Sequence, residues 1–283
     1  MDQDSDLRAC APFSLVGARA IAHKAVQLLT RAARANLKSS PDDSHSNLGW
    51  DGSSKRFLSQ PIPVDGGVMM IGLSLCPMHL DVVRNTETPT KFDMDRRSFE
   101  DTLDWLDGQL TEAGLKPASK ASLPYELPDA VTRVDRFLPN TAASQLATLQ
   151  AWFDLAQTVQ SGFVKNHADV KPGPSAVRCW PHYFDIATYV QLEAGSAETA
   201  RGIGVGMSPG DESYRQPYFY VNPWPHLDAA DLPDAPDPGH WHMNGYVGAV
   251  ATAEQILSLD DIPSSLLSFI ESAFSVGRVR LYA

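Results

Sequence analysis

Twice along this chain the apolar residues change their period, from steps of three and four to alternation and back again. Leu15, Ala18, Ala22, Ala25, Leu29, Ala33 and Leu37 make one helical stripe, which Ser14 is placed to cap. Four strand-like pieces follow, near 45–50, 56–60, 68–75 and 78–84, broken by Asp51-Gly52-Ser53-Ser54, the stretch from Pro61 to Gly67, and Cys76-Pro77. Ser98 with Asp101 then reads as a capping box. Phe99, Leu103, Leu106 and Leu110 supply the next stripe, and Gly114 its stop.

The same order recurs. Thr141 is placed to start a second long helix, striped by Leu146, Leu149, Phe153, Ala156, Val159 and Phe163. Strand-like pieces follow near 177–192, 201–207, 218–222 and 240–251. A helical region near 253–276 comes last, broken around Asp260-Asp261-Ile262-Pro263 and stopped at Gly277. The reading is an α+β protein of two helix–four-strand–helix blocks, 13–115 and 141–283, joined by a proline-rich connector at 116–140. Their antiparallel sheets are expected to pack into one globular unit with a ligand crevice at the junction. The first dozen residues read as a loose tail.

Composition narrows the function classes. Among 283 residues, 23 are Lys or Arg and 34 are Asp or Glu, a formal charge of −11. That balance opposes nucleic-acid phosphates and anionic membranes as partners. The longest apolar runs are too short to span a bilayer, and the acidic start lacks a signal-like apolar core. Cys10, Cys76 and Cys179 are odd in number and widely spaced, which disfavours a disulfide framework or thiolate zinc site and fits a reduced, cytoplasmic setting.

The second block carries distinctive letters: Trp180-Pro181-His182-Tyr183-Phe184-Asp185, then Ser208-Pro209-Gly210-Asp211, then Gln216-Pro217-Tyr218-Phe219-Tyr220. Together they resemble an uncharacterised bacterial family, domain of unknown function 5996. His23 and Gln27 resemble that family's T-L-H-x-x-x-Q helix. The segment from His45 to Trp50 resembles its N-H-W-W-H strand, with Leu48 where the second histidine would stand. The resemblance implies a fold and a pocket location. It implies no reaction.

The residues themselves suggest chemistry. If residues 177–192 form one strand of a meander, His182, Asp211, Glu212, Tyr214 and Arg215 share a rim. His182 would then be the acid–base group, oriented by Asp185 or Asp211, with Tyr214 beside it and Arg215 meeting an anionic group of the substrate. His23 and His45 would join from the first block, and Tyr218 and Tyr220 would line the pocket. Trp180, Phe184, Tyr218 and Tyr220 are expected on paired neighbouring strands.

His240 and His242, two apart on a strand, suggest a divalent-metal pair, with His182 or a carboxylate completing the shell. The alternative for each residue is structural: a capped strand end, a hydrogen-bonded core histidine, an ordinary Pro-Gly-Asp turn. Cys179 sits at an odd offset from His182, which opposes a Cys–His nucleophile on an extended strand. Arg201-Gly202-Ile203-Gly204-Val205-Gly206 has no phosphate-loop spacing. It reads as a strand whose glycine face admits a ring, a backbone or a ligand. An enzyme acting on a small polar molecule leads, ahead of a non-catalytic small-molecule binder with an aromatic pocket and a homo-oligomeric interaction module.

Overall fold

The computed structural model describes residues 3–196 and 199–283. The chain is α+β with two antiparallel sheets. In order, the helices are α1 (Gln3–Leu7), α2 (Val16–Asn36), α3 (Phe99–Glu112), α4 (Asp129–Thr132), α5 (Ala143–Asn166), α6 (Ala253–Ile256) and α7 (Ile262–Leu281). By internal contacts the chain forms two units. The first holds 14–150 with 179–184. The second holds the residues up to Phe13, 151–178 and those from Asp185 on. The boundaries of these units fall inside α5 and on either side of the Cys179–Phe184 segment.

The first unit contains β1 (Gly49–Asp51), β2 (Arg56–Leu58), β3 (Ile62–Val64), β4 (Gly67–Leu75), β5 (Met78–Arg84) and β6 (Thr90–Asp93). The sheet order is β1-β2-β4-β5-β6, with β3 also on β4. β2, β4 and β5 fall on the expected pieces, β1 begins only at Gly49 because residues 44–46 form a 3-10 turn, and β3 and β6 are additional. On β4 the alternating Met69, Ile71, Leu73 and Leu75 are buried, and α2 packs on the same strand. The stripe of α2 is buried from Ala18 to Ala33. Ser14 makes no cap, because a 3-10 turn at Pro12–Leu15 leads into the helix. The capping box of α3 is present: Ser98 Oγ accepts from Asp101 N (2.9 Å), and Asp101 Oδ2 accepts from Ser98 N (3.0 Å).

The expected strand at 177–192 is two strands. β8 (Arg178–Trp180) ends at Pro181, and β9 begins only at Asp185. Leu48 and Cys179 exchange backbone hydrogen bonds (2.9 and 2.8 Å), which places this segment in the first unit. The chain then turns: Phe184 N donates to Trp180 O (2.8 Å), and Phe184 takes a left-handed φ of 61°. From α2, His23 Nε2 and Gln27 Nε2 each donate to the Pro181 carbonyl (both 2.8 Å). Residues 181–184 thus form a turn whose first carbonyl is satisfied by two side chains of α2. Phe184 is consequently not on the second sheet. Its buried ring stacks on His23 (5.1 Å) and meets Phe57 (5.7 Å).

The second unit contains β7 (Gly173–Pro174), β9 (Asp185–Gln191), β10 (Gly202–Ser208), β11 (Tyr218–Trp224), β12 (His240–His242) and β13 (Gly248–Thr252), in the order β12-β13-β11-β10-β9-β7. One face is apolar: Ile186, Val190, Ile203, Val205, Met207 and Phe219 are fully buried. α7 packs on β10 and β11. Gly277 does not stop α7 but lies inside it. A methyl group there would sit 2.8 Å from Pro223 and 3.2 Å from Ile203, so the glycine allows close approach of helix and sheet. The start of the chain is no loose tail over the residues described. Leu7 is fully buried, and Arg8 donates to the carbonyls of Leu257 and Leu259. Met1 and Asp2 lie outside the described residues. No helix among the described residues is long and apolar enough to cross a membrane.

Candidate functional site

The other face of the second sheet is polar, and β10 floors it with glycine. Side chains on a strand alternate, so Gly202, Gly204 and Gly206 all present this face. Register carries the same parity outward. Gly206 pairs with Ala187 and Tyr220, Gly204 with Tyr189 and Asn222, and Ser208 with Tyr218. Tyr220 pairs with Val250, which pairs with His240, and Gly248 pairs with His242. Asp185, Tyr189, Tyr218, Tyr220, Asn222, His240 and His242 therefore share one face. Tyr220 lies across Gly206 and Tyr189 across Gly202, where any Cβ would collide with the ring.

Asp185 and Tyr220 form a buried pair in which the phenol donates to Asp185 Oδ2. Burial pushes the Asp185 carboxyl up to about 6, partly offset by the Tyr220 hydrogen bond. Burial and the adjacent carboxylate drive the Tyr220 phenol well above its ordinary value, so it stays a donor. Asp185 Oδ1 has neither exposed surface nor a hydrogen-bond partner. Most buried polar atoms are satisfied, so an orphaned carboxylate oxygen calls for a reason.

A second cluster adjoins this pair, with the rings of Tyr218 and Tyr220 at 6.2 Å. Asp211 turns the chain after β10. Its Oδ1 accepts from the backbone of Ser213 and Tyr214 (both 2.8 Å), and its Oδ2 accepts from the Tyr218 hydroxyl (2.5 Å). Tyr214 Oη lies 3.0 Å from His240 Nε2 and 2.9 Å from His242 Nδ1. The directions follow for a neutral His242 imidazole. The carbonyl of Asn244 only accepts, so Nε2 carries the proton toward it (2.7 Å), and in that tautomer Nδ1 is the acceptor. Tyr214 then donates to His242 and accepts from His240. Burial, reinforced by Asp211, raises the phenols of Tyr214 and Tyr218 and pushes Tyr246 up to about 12. Tyr214→Phe is expected to cost about 1–3 kcal/mol, because it leaves the buried His242 Nδ1 without its donor. Urea denaturation would check this, and an unchanged midpoint would remove the hydroxyl from the network.

Of the residues singled out in the sequence, Asp211, Tyr214, Tyr218, His240 and His242 come together, and Asp185 joins Tyr220. His182 belongs to the first unit, where its ring neighbours Tyr183 (4.3 Å), Tyr125 (5.8 Å) and Trp180 (6.3 Å). Burial lowers its pKa, against an opposing pull from Asp43. His23 is buried in the same unit. His45 lies in a 3-10 turn rather than opening a strand, and its Nδ1 accepts from Ser40 N (3.2 Å). Having His45 and His182 in one unit removes the expectation that they hold equivalent places in two repeated sheets. Arg215 is exposed.

The ring nitrogens of His240 and His242 converge on Tyr214, and among the described residues there is no group of three or more His, Cys, Asp or Glu that could hold a metal ion. Cys10, Cys76 and Cys179 are not joined in disulfides. A cavity of about 370 Å³ is lined by residues including Arg201, His226, Asp228 and Arg280, and Arg201 there is already paired with Glu193 (2.9 Å).

Sequence reasoning missed Tyr189, Asn222 and Tyr246. The first two were findable in principle, since each sits an even offset from a residue already noted, Asp185 or Tyr220, on a recognised strand. Nothing local marks Tyr246, whose ring reaches His242 at 4.4 Å. Comparison with family models, curated proteins and solved structures gave no match.

Proposed function

We propose that this chain is an enzyme that moves a proton on a small polar molecule, with the glycine-floored face of the second sheet as its site and Asp185 as the acid–base group. One observation carries the reading: a carboxylate with one oxygen fixed by Tyr220 and the other buried without a partner. General acid–base catalysis works best with a pKa near the operating pH, and burial brings Asp185 to about 6. Tyr220 fixes Oδ2, leaving Oδ1 to take the proton. Tyr214 and Tyr218 remain neutral phenols, and with the two histidines they orient a polar substrate. His182, the first candidate for the acid–base role, gives way to Asp185.

The resemblance to domain of unknown function 5996 fits this proposal. The three quoted motifs supply Asp185, Ser208, Asp211, Tyr218 and Tyr220, all on the face or on the turn beside it. A second reading, a binding protein without chemistry, draws on the ring array of Tyr214, Tyr218, Tyr246 and His242.

Incubating the protein with a mixture of small polar metabolites, followed by mass spectrometry, separates the two readings. The expected result is consumption of at least one compound by the wild type and about 100-fold slower consumption by Asp185→Asn. Turnover that is indifferent to this substitution would overturn the assignment. Saturable binding without any turnover would favour the binding protein.

A further inference from the structure

We infer that the ligand of this face is a small organic amine, bound as its ammonium cation over Gly204 between Tyr189 and Tyr220. The inference rests on the preceding reading of the face as a small-molecule site and adds the ligand's class. Gly202 and Gly206 are buried beneath the two tyrosines, whereas Gly204 between them is only half-buried. A Cβ there would meet nothing nearer than the Asn222 carbonyl at 3.7 Å and Tyr220 at 4.0 Å. The floor is thus open at one point, with a ring on either side along the strand.

Three buried polar atoms on this face lack hydrogen-bond partners: Asp185 Oδ1, Tyr189 Oη and Asn222 Oδ1. Each can accept, and two of them, the carboxylate and amide oxygens, only accept. A partner for any of them is therefore a donor: Asn222 is level with Gly204, Tyr189 Oη lies over Gly202, and Asp185 lies beside Tyr220, whose ring crosses Gly206. β9, β10, β11, β12 and β13 carry no Lys or Arg, so the only side chains on these strands that could carry a positive charge toward an anion are His240 and His242. Asp185 and Asp211 would repel one. An ammonium group has three donors and no acceptor, and it is attracted to tyrosine faces within about 6 Å of the ring centre. These features favour a cationic group over the anionic one expected opposite Arg215.

Titration calorimetry with four probes of similar size tests the class: propylamine, 1,4-diaminobutane, 1-propanol and propionate. The amines are expected to bind at least about tenfold more tightly than propanol or propionate, equivalent to 1.4 kcal/mol. Gly204→Val, which fills the open point, and Asp185→Asn should each weaken amine binding by about tenfold or more. Asn222→Leu carries the same test if Gly204→Val does not fold.

Propionate binding as tightly as propylamine would overturn the inference, as would amine binding unaffected by both the floor and the Asn222 substitutions. Asp185-dependent turnover of a compound that is not an amine would sink the ligand class and leave the acid–base reading standing. Amine binding at Gly204 without Asp185-dependent turnover would do the reverse.

Discussion

Phe184→Ala is expected to destabilise the first unit by about 3–5 kcal/mol, the range for truncating a fully packed phenylalanine. Phe184 has no exposed surface, and its ring stacks on His23 and meets Phe57. The loss therefore reaches beyond a cavity. His23 loses the ring that holds it parallel, at an interplanar angle of 11°, while donating to the Pro181 carbonyl. The left-handed φ of 61° adds a distinguishing control. Phe184→Gly relieves backbone strain that Phe184→Ala retains, so glycine should be no worse than alanine there despite removing another carbon. Chemical denaturation of both variants reads the outcome. A Phe184→Ala protein that unfolds at the wild-type midpoint would refute the packing of this turn.

The second large effect is on pH dependence, and the two units should respond in opposite directions. His23 is held neutral in the fold, its pKa lowered to about 4 chiefly by burial, against 6.5 when free. Between those values the unfolded chain binds a proton that the folded chain does not. Stability of the first unit should therefore fall as pH drops from about 6.5 to 4, by up to about 3 kcal/mol at 1.36 kcal/mol per unit. Asp185 runs the other way. Its pKa rises from 3.8 to about 6 in the fold, so the folded chain binds the extra proton. Stability of the second unit should grow as pH falls through 6 toward 4, by a similar amount of up to about 3 kcal/mol.

Hydrogen exchange resolves the two units, with amides of α2 reporting on one and amides of β9 to β11 on the other. From pH 7 to 4.5, protection corrected for intrinsic exchange should decline in α2 and increase in the sheet. Asp185→Asn should abolish the gain and stabilise the sheet at neutral pH. His23→Gln, which keeps a donor for the Pro181 carbonyl, should abolish the decline. Equal slopes in the two units would mean that neither group sits in the environment described here.

Much of the architecture could be read from periodicity, since period and burial are local properties of a helix or strand. The α2 stripe, the alternation of β4, the capping box of α3 and the glycine face of β10 all stand where the spacing placed them. The candidate site was legible in part for the same reason. Tyr218 and Tyr220 share a face because they are two apart, and Asp211 sits in a turn because Pro209-Gly210 makes one. Where the reading failed, the decisive partner was remote. The strand expected at 177–192 turns at residues 181–184, where His23 and Gln27, 158 and 154 residues away, donate to the Pro181 carbonyl. No local rule anticipates those contacts, and the turn leaves both His182 and Phe184 outside the strands of the second sheet.

What the sequence by itself determined was the alternation of periods: two antiparallel sheets, the helices around them, and a strand with glycines along one face. The pairing of chemical groups was decided by the tertiary structure. Residues 225–239 carry the chain back across the sheet, so that His240 comes level with Tyr220 through Val250 and both histidines reach Tyr214. The orphaned oxygen of Asp185 is likewise a product of what surrounds it. Side-chain direction follows from a residue's own backbone, whereas hydrogen-bond partners and burial follow from register between strands far apart in the chain.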